Sequence, residues 1–168
     1  MIWKTRKLLI AFFLLFIFTR CGVYSFTGAA IEGKTINIHF IENNARLVAP
    51  TLSPTFTQKL RQRILSQSSL AQLDKETTDY DLTGNITNYD ITIPSITGTE
   101  TVSANRLTIT VSMSFKSKLN SKSDFTQSFT RFADFSATQN LQTVETRLID
   151  EISDQLVDDI FNRCFVNW

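Results

Sequence analysis

"RLTITVSMSFK", residues 106–116, alternates without a break. Leu107, Ile109, Val111, Met113 and Phe115 take one parity, and Thr108, Thr110, Ser112 and Ser114 take the other. Successive side chains of a strand point to opposite faces, so this is a strand with one buried face and one polar face. A one-sided strand calls for a second layer on its apolar face. The segment after it, "DFTQSFTRFADF" (124–135), continues the theme past a short turn at 119–123. Phe125, Phe129 and Phe135 share its inner face and Phe132 points outward.

Upstream, "DYDLTGNITNYDITIP" (79–94) places Tyr80, Leu82 and Ile86 on one parity but Tyr89, Ile91 and Ile93 on the other. A parity switch inside a strand predicts a β-bulge near Asn88. Gly84 lies in the same run, where glycine marks close approach by another element. "KTINIHFIEN" (34–43) is a shorter strand with Ile36, Ile38 and Phe40 on one face. Residues 95–105 form a loop or hairpin tip.

The layer that covers these strands is helical. "TLSPTFTQKLRQRILSQ" (51–67) repeats Phe56, Leu60 and Ile64 at helical spacing. Ser53 is the expected N-cap and Pro54 the first helical residue. Lys59, Arg61 and Arg63 lie off the apolar stripe, in solvent or against a partner. Residues 136–164 form a second helix with a stripe of Leu141, Val144, Leu148, Ile152, Leu156 and Ile160. Ser136 with Gln139 has capping-box spacing, with Thr138 and Asn140 as alternative caps. The order β-α-β-β-β-α describes an α+β two-layer sandwich, a roughly four-stranded mixed sheet packed by two helices.

The first twenty residues are of another kind. Lys4, Arg6 and Lys7 precede an eleven-residue apolar run, Leu8 to Phe18. A membrane-spanning helix needs roughly 20 apolar residues. The run has instead the length and the basic start of an export signal. Cys21 follows directly, so residues 1–20 read as a lipoprotein signal peptide and 21–168 as one mature domain whose first residue carries the lipid. Arg20 departs from the small residue usual before such a cysteine. Because stable anchoring takes more than one acyl chain, the multiply acylated cysteine of a bacterial lipoprotein suffices.

Charge and chemistry narrow the function. The whole chain has 17 basic and 16 acidic residues. Residues 1–20 hold four of the basic ones and none of the acidic, which leaves 13 against 16, a net of −3. A nucleic-acid binder would be basic. With Cys21 lipidated, Cys164 is single. It reads as a buried thiol behaving as a small hydrophobe, an intermolecular disulfide being the lesser reading. His39 is the sole histidine and reads as structural or solvated. No cysteine–histidine cluster has metal-ligand spacing, and no nucleophile-elbow, zincin or P-loop motif occurs, so no catalytic set, metal or cofactor is expected. Asp150, Glu151, Asp154, Asp158 and Asp159 suit a solvated acidic helix face, a metal or catalytic pair being the minor reading. A carboxylate hydrolase is the enzyme that this would leave open.

Two polar features ask for a partner. Thr108, Thr110, Ser112, Ser114, Thr126, Ser128 and Thr130 make an uncharged hydroxyl face. High β-propensity of threonine and contact with another protein's polar surface account for it equally well. Lys116, Lys118 and Lys122 surround the turn between the last two strands. They read as a solvated basic turn or as contacts to lipid phosphates.

"CGVYSFTGA" (21–29), "YDLTGNI" (80–86) and the long C-terminal amphipathic helix together resemble the LptE family of outer-membrane lipoproteins. The resemblance covers essentially the whole mature chain. It implies a plug inside a large β-barrel partner, LptD, with which lipopolysaccharide is delivered to the outer leaflet. It also implies help in the assembly of that barrel, binding of lipopolysaccharide, and lipid anchoring at Cys21 on the periplasmic face of the outer membrane. The lumen of such a barrel is polar, which would give the hydroxyl face its role. The competing reading is an outer-membrane lipoprotein that binds another envelope protein or polymer.

Overall fold

Strand β5, Ala104–Ser117, forms with one buried and one open face, as its clean alternation predicts. The computed structural model describes residues 31–93 and 104–166. The signal segment, Cys21, most of the 95–105 loop and the last two residues lie outside these. β5 pairs antiparallel with β4, Tyr80–Thr92, on one side and with β6, Phe125–Ser136, on the other. β1, Thr35–Ile38, and β2, Glu42–Asn43, pair parallel with β4 one after the other. β3, Ala71–Gln72, pairs parallel with β1. The mixed sheet therefore runs β3-β1-β4-β5-β6, with β2 beside β4.

Helices α1, Leu52–Gln67, and α2, Leu141–Phe165, cover one face. The expected stripes are buried, Phe56, Leu60 and Ile64 of α1 and Val144, Leu148, Ile152, Leu156 and Ile160 of α2, except that Leu141 at the start of α2 is only partly buried. α2 adds Ile149, Val157, Phe161, Cys164 and Phe165 to that core. Against them lie the five apolar residues of β5, all fully buried. A core leucine or phenylalanine contributes about 1.5–3 kcal/mol through burial.

The bulge in β4 is where the parity switch places it. The register to β5 slips between Ile86 and Asn88, leaving Thr87 as the extra residue. Tyr80, Leu82, Ile86 and Tyr89 all reach the core through that slip. The inner face then runs out, because Ile91 and Ile93 are exposed. Gly84 is needed for space. A Cβ there would lie 2.5 Å from Met113 Sδ and 2.5 Å from the Ser112 carbonyl oxygen.

Three local expectations are corrected. The 34–43 strand is broken, since β1 ends at Ile38 and β2 starts at Glu42. Between them Ile41 turns inward, its N–H donating to Thr57 Oγ1 at 3.1 Å, so Ile41 is buried and Phe40 is 53% exposed. The cap of α1 is Thr51, not Ser53, and its side chain makes no capping bond. Pro54 is thus in the third helical position, where an N–H would still lack an intrahelical acceptor. At α2, Ser136 ends β6, and of the alternative caps it is Asn140 that serves, accepting from Gln142 N at 3.0 Å.

Candidate interaction face

With both helices on one side, the other face of the sheet is open, and β4, β5 and β6 build it. Pairing aligns the hydroxyl rows: Thr110 with Thr130, Ser112 with Ser128, Ser114 with Thr126. Thr110 and Thr130 share a hydrogen bond of 2.9 Å, and Thr126 Oγ1 donates to Ser114 Oγ at 3.2 Å. β4 continues the polar surface with Thr83, Asn85 and Asn88. The hydroxyls thus pair across strands and still carry free lone pairs toward solvent.

Charges mark the two ends of this face. At one end Arg106 forks onto Asp134, at 2.7 and 2.9 Å, and its guanidinium lies 3.7 Å from the centroid of the Phe132 ring. The guanidinium holds the Asp134 carboxyl below its usual range. At the other end His39 Nε2 lies 2.9 Å from both Asp81 Oδ1 and Asn37 Nδ2. That places the lone histidine in a surface polar cluster.

The three turn lysines lie at or near this second end, and all are exposed. Lys116 ends the outer row of β5 in register with Asp81. Lys118 N donates to the Asp79 carbonyl at 2.9 Å, and its ammonium donates to the Glu76 carbonyl. Lys122 sits in a 3-10 turn, Ser121–Ser123, that Asn120 caps by accepting from Lys122 N at 3.1 Å. Among the described residues, no ion pair involves Lys116 or Lys122. Carboxylates stand between these lysines and β1. Asp79 accepts from Lys34 N, Thr35 N and Thr35 Oγ1, and these bonds, the one from Lys34 first, lower its pKa.

A family model described as LptE, lipopolysaccharide assembly, matches residues 33–164. The chain belongs to the LptE family. Among solved structures, the hypothetical protein CT253 from Chlamydia trachomatis aligns with a TM-score of 0.54 at 9% identity, over 80% of this chain and 99% of its own. A minor lipoprotein from Acinetobacter baumannii gives 0.50 at 14%, over 77% and 91%. Rare lipoprotein B from Shewanella oneidensis gives 0.50 at 13%, over 77% and 92%. At these identities the likeness is one of fold. No curated protein matches the sequence.

The geometry places the remaining residues of interest in this LptE-family chain. Cys164 is fully buried, and burial pushes its thiol pKa up, as suits a core residue. The α2 carboxylates do not form a site. Lys59 of α1 sits between Asp150 and Asp154 at 2.8 and 2.7 Å, Arg63 meets Asp158 at 3.0 Å, and Arg131 meets Asp159 at 2.6 Å. Burial lowers the Lys59 pKa and the two aspartates outweigh it, for a net rise. Among the described residues no group of three or more His, Cys, Asp or Glu could hold a metal ion, and no helix is long and apolar enough to cross a membrane. The end residues Arg106, Phe132 and Asp134 escaped sequence reasoning, although an outward phenylalanine was a signal.

Proposed function

We propose that this LptE-family chain is the lipid-anchored partner of an LptD-like outer-membrane β-barrel. The observation that carries the proposal is the uncovered, nearly uncharged hydroxyl face of the sheet in a chain of a lipopolysaccharide-assembly family. A polar barrel lumen is a fitting counterpart for such a face, because hydroxyls exchange water for lumen hydrogen bonds at little cost. On this reading residues 1–20 are removed as a signal peptide and 21–168 remain as one domain. Acylated Cys21 ties that domain to the periplasmic face of the outer membrane. The chain plugs the barrel, assists its assembly, and presents Lys116, Lys118 and Lys122 to lipopolysaccharide phosphates. None of these roles calls for a catalytic residue.

Affinity capture of the chain from detergent-solubilised membranes tests the partnership. Recovery of a large barrel protein is expected. Recovery of other envelope proteins or polymer without a barrel refutes the assignment in favour of a general envelope-binding lipoprotein. The triple variant Lys116→Ala, Lys118→Ala, Lys122→Ala is expected to weaken lipopolysaccharide binding about tenfold, or ~1.4 kcal/mol. Unchanged binding removes the lysines from the site and leaves the barrel partnership standing. Mass spectrometry of the mature N-terminus should find Cys21 acylated.

A further inference from the structure

The chain is fastened to the fold just before β1 begins. Three successive backbone N–H groups are captured by two adjacent side chains. Gly33 N donates to Tyr80 Oη at 3.2 Å, and Lys34 N and Thr35 N donate to Asp79 Oδ2 at 2.8 and 3.0 Å. Thr35 Oγ1 donates to the same carboxylate oxygen and accepts from Asp79 N, both at 3.0 Å. Gly33 lies flush on the Tyr80 ring, where a Cβ would come within 2.2 Å of Tyr80 Cε2. That ring stacks on Phe115 and meets Phe165 edge-on, so the fastening reaches the core.

The fastening decides which end of the sheet is tethered. Strand pairing brings the start of β1, the start of β4, the end of β5 and the start of β6 to one end. Lys118 belongs to that end, its N–H donating to the Asp79 carbonyl at 2.9 Å. Arg106, Phe132 and Asp134 lie toward the other end, because the twelve residues of β6 span about 40 Å. Gly33 stands twelve residues after Cys21. A chain of that length reaches at most about 40 Å, and a flexible one averages about 20 Å end to end.

We propose that the end of the sheet carrying Lys116, Lys118 and Lys122 is held toward the lipid surface that anchors Cys21, and that the Arg106–Asp134 end points away from it. This rests on the acylation of Cys21 and gives the plug a direction. Inside a barrel the lysines stand at the mouth on the anchored side, and Arg106, Phe132 and Asp134 lie deeper. A lipid phosphate arriving from the anchored side meets the lysines before it meets the hydroxyl face. The tether sets this orientation rather than charge. Asp79, Asp81 and Asp124 stand among the lysines, Asp124 accepting from Ser117 N at 2.8 Å, so this end is no purely basic patch.

Energy transfer to the bilayer tests it. The full chain, extracted from native membranes, is bound to vesicles of phosphatidylethanolamine and phosphatidylglycerol that carry an acceptor lipid. A donor dye is attached at Lys122→Cys, at the tethered end, or at Ala137→Cys, just beyond β6 at the other. Both positions are exposed, and the native Cys164 is fully buried and escapes the dye. Transfer from position 122 is expected to exceed that from position 137 at least about threefold, because the tether is short beside the length of the sheet. The difference should persist in high salt, which screens surface charges but leaves a covalent tether intact. Equal or reversed transfer from a vesicle-bound chain overturns the orientation and leaves the acylation standing. Loss of the difference in high salt also overturns it, in favour of adsorption through the lysines. A chain that does not bind the vesicles removes the acylation and the orientation together.

Discussion

The two faces of β5 share one backbone and one pattern of pairing, yet they are held to different standards. Leu107, Ile109, Val111, Met113 and Phe115 are fully buried, and Thr108, Thr110, Ser112 and Ser114 are half-buried. On the inner face each side chain is judged by shape, because interiors are close-packed and voids are costly. On the outer face each is judged by what it offers to solvent or a partner. Stability is therefore concentrated in one parity of the strand, and recognition in the other.

The largest test of that contrast is Phe115→Ala. Its ring stacks on Tyr80 and Phe125, with centroids 5.4 and 5.7 Å away, and meets Phe165 edge-on at 5.6 Å. A loss of about 3–5 kcal/mol is expected, read as a fall in the urea midpoint. Gly84→Ala comes next, at about 1–3 kcal/mol, since Met113 and the Ser112 carbonyl must give way to the added methyl. A Gly84→Ala protein as stable as wild type would show that the inner face has room beside Met113.

Asp79→Ala probes the end of the sheet, where the two faces meet. It leaves the Lys34 and Thr35 amides without their acceptor, for about 1 kcal/mol at pH 7. Because the folded Asp79 pKa is lowered from 3.8, its stabilisation is present above that value and disappears as pH falls through the folded pKa. The gap between wild type and variant in thermal unfolding should close in that acid range. Ser153→Ala has the opposite sign. Ser153 is fully buried in α2, and among the described residues its hydroxyl has no hydrogen-bond partner. Removing an unsatisfied buried hydroxyl should stabilise the chain by up to ~1 kcal/mol. Thr110→Ala on the outer face should change stability by no more than about 0.5 kcal/mol, and a larger loss would erase the distinction between the faces.

Where burial imposes a period, the sequence was readable. The parity of β5, the bulge after Ile86 and both helical stripes follow from apolar spacing alone. The hydroxyl face was visible for the same reason, as the complement of the buried row. Errors arose where a distant group overrode the local pattern. Thr57 draws the Ile41 amide out of line and leaves Phe40 outside. The chain enters α1 two residues earlier than Ser53 suggests, through Ala49 O accepting from Leu52 N at 3.1 Å. β3 was unreadable because two residues carry no period. Lys116, Lys118 and Lys122 are exposed around the turn after β5, whereas the carboxylates of Asp79 and Asp81 near them come from the start of β4.

By itself the sequence determined which face of each element is apolar, where β4 slips, and the family to which the chain belongs, since each of these is written in short-range spacing or in motifs. Only the tertiary structure decided that Lys59 stands between two aspartates of α2, that Arg61 donates to the Ile38 carbonyl at the end of β1, and that β6 is the last strand of the sheet among the described residues. Those outcomes depend on pairings between residues far apart in the chain. Such pairings are selected by the packing of the whole core, and no local window of sequence contains them.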